Sequence, residues 1–259
     1  MSLEAKIANL LRYFLELSYN GKAYHGWQNQ PNAISVQEVM ENALSTILKR
    51  DIAIVGAGRT DTGVHASQMF AHFDFEDEFQ TKDLVYKLNS FLPKDIAVHA
   101  INPVNAEAHA RFDALSRTYH YKISTSKNVF DYDYAYQVQM PLDVASMNKA
   151  CDILLTYNDF QCFSKSNTDV KTYYCDIKEA FWAKDKDGLM FTITANRFLR
   201  NMVRAIVGTM VNIGLGKLTP EDLHEIIASK DRGKAGFSVP AHGLYLVEIV
   251  YPDRIKEIE

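Results

Sequence analysis

The sequence predicts an α+β fold of two ferredoxin-like halves, each ordered β-α-β-β-α-β around an antiparallel sheet. Three observations predict it. Short runs alternate apolar and polar residues at period two, while longer ones repeat at about 3.6. The order of these runs over residues 12–101 starts again from Arg117, as a repeat of pattern without shared sequence. The chain has 259 residues, 47% of them hydrophobic and 23% charged, which is enough for two halves with a core each. The expected division is 1–112 and 113–259.

In the first half, Arg12 to Tyr19 is a strand of aromatic and aliphatic residues running into an Asn20-Gly21 turn. Lys22 to Asn32, with Gly26-Trp27 and Pro31, is a structured loop. Ser35 opens a helix with a capping box to Glu38, and Val36, Val39, Met40, Ala43, Leu44, Ile47 and Leu48 form its apolar face. Ile52–Val55 and Gln68–Phe75 read as strands, Thr81–Leu92 as a helix stopped by Pro93, and Ile96–Ile101 as a strand.

In the second half, Thr118–Ser124 alternates, with Tyr119, Tyr121 and Ile123 on one face, and Leu142–Leu155 is helical. Tyr173–Ala183 and Leu189–Ala195 pair across a turn at Asp185-Lys186-Asp187-Gly188. Asn196–Ile213 has the periodicity of an amphipathic helix. Thr219-Pro220 starts another, and Leu244–Tyr251 closes the chain as a strand.

Composition narrows the function. A net charge of -4 gives no global attraction to nucleic acid, so any such binding needs a local basic face. Three cysteines without a C-x-x-C, and eight histidines without H-E-x-x-H, point to a reducing compartment and to no metal. No apolar stretch reaches the length of a membrane span, and the N-terminus lacks a signal-peptide layout. The expectation is a cytoplasmic protein.

The most unusual stretch runs from Gly56 to Ser67. Three glycines in eight residues surround Arg59 and Asp61, between two strand-like runs. Asp61-Thr62-Gly63 spells the aspartic-protease triplet, but that chemistry needs a second carboxylate sharing one proton, and no second D-T-G exists. A G-x-G-x-x-G phosphate loop would need glycine where Asp61 stands. Taken alone, the loop is either a turn aspartate with a surface arginine or a catalytic site.

Two other groups bear on this. On a helix from Asn196, Arg197, Arg200 and Arg204 would share one face, opposite Leu199, Met202, Val203, Ile206 and Met210. A solvated face is the plain reading, yet the compensating acids of such a face are missing, and an anionic ligand or a carboxylate in a cleft suits the row. Arg111-Phe112-Asp113 and Arg117-Thr118-Tyr119-His120-Tyr121 combine basic and aromatic groups. Such aromatics are core by default but can stack on an unpaired base.

With these residues assembled, the chain resembles the TruA-type tRNA pseudouridine synthase family over nearly its whole length. The hallmark loop is matched by Gly58-Arg59-Thr60-Asp61-Thr62-Gly63-Val64-His65-Ala66. Collinear matches follow at Gly26-Trp27-Gln28, Ser35-Val36-Gln37, Leu92-Pro93, Ala110-Arg111-Phe112, Arg117-Thr118-Tyr119, Asp159-Phe160, Phe198-Leu199, Met202-Val203-Arg204 and Gly243-Leu244. Asn20, Ala108 and Val239 depart from the family's usual aspartate, phenylalanine and alanine.

The resemblance implies a pseudouridine synthase fold with a central basic cleft between its halves. It implies isomerisation of uridine to pseudouridine in the anticodon stem-loop of tRNA, at nucleotides 38, 39 and 40, without a cofactor, by a homodimer. It makes Asp61 the catalytic aspartate, acting as nucleophile at the sugar C1′ or in a related elimination. Arg204 would be its cationic partner, offsetting desolvation of the carboxylate. Tyr119 would stack on the uracil and take part in removing the C5 proton. Arg59 would grip phosphate and help extrude the nucleotide. Arg111, Arg117, Arg197 and Arg200 are further candidates for substrate binding. The alternative is a non-catalytic RNA-binding protein of two sheet modules, poorly matched by a pI of about 6.1.

Overall fold

The computed structural model describes residues 10–77, 79–165, 170–186 and 188–256. The N-terminal layout considered above therefore lies outside the described residues, as does Asp187 of the expected turn. The chain is a mixed α+β protein that forms two compact units. The first runs to Leu115 and takes up the chain again from Leu246; the second is Ser116–Tyr245. The C-terminal segment thus belongs with the first unit, whereas a division at residue 112 puts it with the second.

In the first unit, β1 (Leu11–Tyr19) lies between β3 (His65–Phe75) and β4 (Ile96–Val104), antiparallel to both. Alternation along β1 buries Tyr13, Leu15, Leu17 and Tyr19, with Phe14 buried on the other face. Helix α1 (Val36–Leu48) starts where expected: the Ser35 hydroxyl accepts the Glu38 N–H at 3.1 Å, and Met40, Ala43 and Leu44 are wholly buried. Helix α2 (Thr81–Phe91) ends before Pro93, with the Leu92 N–H returning to the Leu88 carbonyl.

The strand expected at Ile52–Val55 shrinks to β2 (Val55–Gly56). The cause is local: the N–H groups of Ile52 and Ile54 are taken by the Ser45 hydroxyl (2.9 Å) and the Glu41 carboxylate (3.0 Å) of α1. Backbone donors held by a helix cannot also serve a ladder.

In the second unit, β5 (Ser116–Ser124) pairs antiparallel with β8 (Gly188–Ala195), and β8 with β7 (Ile177–Asp185). A two-residue β6 (Tyr136–Gln137) runs parallel to β5. Helix α3 (Val144–Leu154) is capped by Asp143, which accepts from both the N–H and the hydroxyl of Ser146. Helix α5 (Asp222–Ser229) carries a reciprocal box, Thr219 N–H to Asp222 and Asp222 N–H to Thr219. Strand β9 (Leu244–Val250) starts at the end of this unit and continues into the C-terminal segment that belongs to the first.

The helix expected from Asn196 begins only at Met202: α4 is Met202–Gly214. Asn201 has a left-handed backbone, φ 67°, which a helix does not contain. Before it, Asn196 is committed to Asp176 through its own N–H (3.1 Å) and its side-chain oxygen (2.9 Å). Arg197, Arg200 and Arg204 therefore do not form a row on one helix.

Candidate active site

The Asp61 loop is held from beneath by residues of its own unit. The Thr60 hydroxyl and the Tyr19 hydroxyl share a buried hydrogen bond of 2.8 Å, and the Thr60 carbonyl accepts the Trp27 N–H at 3.3 Å. The Asp61 carbonyl accepts Val64 N–H at 3.1 Å, closing the turn, and Gly63 N–H reaches the Tyr24 carbonyl at 3.3 Å. At the loop's root, Ala57 N–H donates to the Phe70 carbonyl at 2.7 Å.

Two glycines are required here. Gly26 (φ 89°) lies against the Thr60 carbonyl, where any Cβ would collide, and Gly63 (φ 79°) makes the turn after Thr62. Trp27, 2% exposed, fills the space over Gly56. Beneath Gly63, Tyr24 is fixed by a 2.6 Å hydrogen bond from its hydroxyl to Asp95, and burial followed by that carboxylate raises the phenol's pKa. On this scaffold Asp61 is half-buried and Arg59 exposed.

In the second unit, Tyr119 is half-buried on β5, its ring meeting Phe198 edge-on at 5.1 Å. Arg117, two residues earlier on the same face, donates to the Asn196 carbonyl at 2.9 Å. Arg197 reaches the Thr172 carbonyl at 3.4 Å, and the carbonyl of the exposed Arg200 accepts the Lys165 N–H at 3.0 Å. Arg204, half-buried in the first turn of α4, donates its Nε to the Val239 carbonyl at 2.7 Å. Tyr121 hydrogen-bonds the neighbouring Pro240 carbonyl at 2.8 Å; burial raises its pKa, partly opposed by the Arg204 charge.

Arg111, exposed, belongs to the first unit and leans on the Phe112 ring at 5.6 Å. The predicted residues are divided between the two units: Arg59, Asp61 and Arg111 in the first, and Arg117, Tyr119, Arg197, Arg200 and Arg204 in the second.

Sequence reasoning missed the supports: Thr60 and Tyr19 under the loop, Tyr24 with Asp95 under Gly63, and the 236–239 strap beside Arg204. The strap has a readable trace, two more glycine contacts. Gly208 abuts the Phe237 carbonyl, and Gly236 abuts the Thr209 backbone while donating to its hydroxyl at 2.8 Å. The departures from the family pattern leave these supports intact. Asn20 still accepts Lys22 N–H at 3.1 Å, and Val239 meets Arg204 through its backbone.

Among the described residues no group of histidine, cysteine, aspartate or glutamate could hold a metal, and no helix is long and apolar enough to cross a membrane. The three cysteines are buried; burial pushes the Cys151 and Cys162 thiols up to about 12 and Cys175 to about 11, out of the nucleophilic range.

Comparison with known proteins gives a consistent family. The family described as tRNA pseudouridine synthase matches residues 17–113 and 150–252. The chain is 52% identical over 251 residues to "tRNA pseudouridine synthase A" of Parabacteroides distasonis, covering 96% of this chain and 99% of the relative. A protein of the same name from Bacteroides thetaiotaomicron is 52% identical over 247 residues, covering 94% and 92%. One from Thermoanaerobacter sp. is 38% identical over 237 residues, covering 91% and 97%.

Proposed function

We propose, for a chain that belongs to the tRNA pseudouridine synthase family and is an isomerase acting on tRNA, that Asp61 is the nucleophile converting uridine to pseudouridine in the anticodon stem-loop, at nucleotides 38, 39 and 40. The observation that carries this reading is the Asp61 loop. A carboxylate stands on a turn fixed by Thr60, Trp27 and Tyr24, with an exposed arginine two residues before it. Such fixing costs conformational freedom and is characteristic of a group that must be positioned for reaction.

The chemistry follows from the groups. The Asp61 carboxylate attacks C1′ as the C1′–N1 bond breaks, and the freed uracil turns so that C5 faces C1′. The C1′–C5 bond then forms, the carboxylate leaves, and the C5 proton passes through a base to N1. No atom is gained or lost, so the chemistry calls for no redox or group-carrying cofactor. Tyr119 stacks on the uracil and its hydroxyl assists departure of the C5 proton. Arg204 keeps the carboxylate ionised when the flipped nucleotide excludes water. Arg59 takes backbone phosphate, with Arg111, Arg117, Arg197 and Arg200 as further contacts to the RNA. A homodimer working in the cytoplasm completes the proposal, with one tRNA in contact with both subunits.

The test is incubation of the purified protein with unmodified tRNA transcripts, followed by chemical mapping of pseudouridine. Modification at 38, 39 or 40 is expected. Tight binding of tRNA without any pseudouridine would favour a non-catalytic RNA-binding module instead.

A further inference from the structure

The stretch 108–113, beyond β4, is held by side chains from across the first unit. The Arg12 guanidinium donates to the Ala108 carbonyl at 3.0 Å and is itself locked by two bonds to Asp74, at 2.7 and 2.8 Å. Asp113 accepts His109 N–H at 2.7 Å. His72, on β3, accepts Ala110 N–H through Nδ1 at 3.1 Å in a buried bond, and the Tyr251 hydroxyl donates to the Ala110 carbonyl at 2.5 Å. His109 Nδ1 then accepts Arg111 N–H at 3.1 Å and Phe112 N–H at 3.4 Å. A segment with so many of its polar groups taken has little freedom left to lose on binding.

What this rigid stretch displays is apolar. Phe112 is 74% exposed, its ring resting 4.3 Å from the His109 ring and 5.6 Å from the Arg111 guanidinium. An exposed phenylalanine on a mobile loop would need no account. On this support it is a fixed π-face with a cation beside it, the combination that takes an unpaired base and its phosphate. With a net charge of -4, attraction to RNA has to come from such local groups.

We propose that Arg111 and Phe112 form a fixed prong that grips the RNA substrate, Phe112 stacking on an unpaired base and Arg111 meeting an adjacent phosphate. The proposal rests on the reading of the chain as a tRNA-modifying enzyme. Strand β3 links the prong to the chemistry. His72, which anchors Ala110, faces Val55 of β2, and Gly56, where the Asp61 loop begins, faces Ala71. His72 is therefore a positioning residue for the prong. Burial, then the Arg12 and His109 charges, depress its pKa to about 4, so Nδ1 remains an acceptor at neutral pH.

The experiment measures affinity for fluorescently labelled, unmodified tRNA together with the single-turnover rate at saturating enzyme. Phe112→Ala is expected to weaken binding by ~10- to 100-fold, and Phe112→Tyr by no more than ~3-fold. His72→Ala should also weaken binding, while His72→Asn, whose Oδ1 can replace Nδ1 as acceptor, restores it. A folded Phe112→Ala protein that binds tRNA within about twofold of wild type would overturn the proposal. So would a changed oligomeric state in sedimentation with RNA affinity intact, which would make Phe112 a protein contact. If wild-type protein forms no pseudouridine yet Phe112→Ala loses RNA affinity, the prong stands and the enzymatic reading fails. An active wild type with an unaffected Phe112→Ala gives the reverse.

Discussion

Arg204 and Val239 are tied to each other twice: the arginine Nε donates to the Val239 carbonyl at 2.7 Å, and the Val239 N–H donates to the Arg204 carbonyl at 3.2 Å. The second bond fixes the strap to α4, and the first fixes the plane of the guanidinium. A lysine has no fork to hold in this way. Arg204→Lys is expected to lower the single-turnover rate by about 100-fold, the scale for losing one aimed donor, while tRNA affinity changes little. Rates near wild type would make Arg204 a structural brace for the strap.

Tyr19 and Thr60 join the core of β1 to the Asp61 loop through one buried hydrogen bond of 2.8 Å. Tyr19→Phe removes one partner and leaves the other buried, which costs about 1–2 kcal/mol. The urea midpoint should fall accordingly. Turnover should fall further than tRNA affinity, because the loop that carries Asp61 loses a support.

Gly26 cannot accept a side chain, since its φ of 89° is unfavourable for one and the Thr60 carbonyl occupies the site of a Cβ. For Gly26→Ala the left-handed backbone alone costs roughly 1–2 kcal/mol, and the clash displaces Thr60. A lowered melting temperature with loss of most activity is expected. Gly58, which has open space where a Cβ would go, should tolerate alanine without loss of stability.

His72 makes stability pH-dependent. Its folded pKa is lowered to about 4 by burial first, then by Arg12 and His109, with Asp74 opposing; the unfolded value is 6.5. Between these values the unfolded chain binds the extra proton, so stability falls as pH drops from about 6.5 to about 4. His109, also lowered, acts in the same direction. Urea midpoints of wild type and His72→Asn, measured from pH 7 to 4.5, should converge as pH falls because the variant lacks this part of the loss.

Much of the fold was legible because its signals are local. Ser35 with Glu38 announces α1, Thr219-Pro220 announces α5 although the helix opens only at Asp222, and the strands read at Arg12–Tyr19 and Thr118–Ser124 are present as β1 and β5. The errors arise where distant partners decide. Residues 196–200 have helical periodicity, yet Asn196 is drawn to Asp176 and accepts from Arg117, so the helix waits until Met202. Ile52–Val55 looks like a strand until Glu41 and Ser45 claim its donors. The motif around Asp61 was visible as a motif. Its supports were not, because Tyr19 and Tyr24 look like ordinary core aromatics and His72 like one more strand residue.

The central claim is that Asp61 performs the chemistry, and the most direct measurement is pseudouridine formation by Asp61→Asn under single-turnover conditions with tRNA affinity measured alongside. Asparagine keeps the size of the side chain and removes the nucleophilic charge. The expected result is wild-type-like tRNA binding with no detectable pseudouridine. Pseudouridine formed by that variant at a rate near that of wild type would contradict the account.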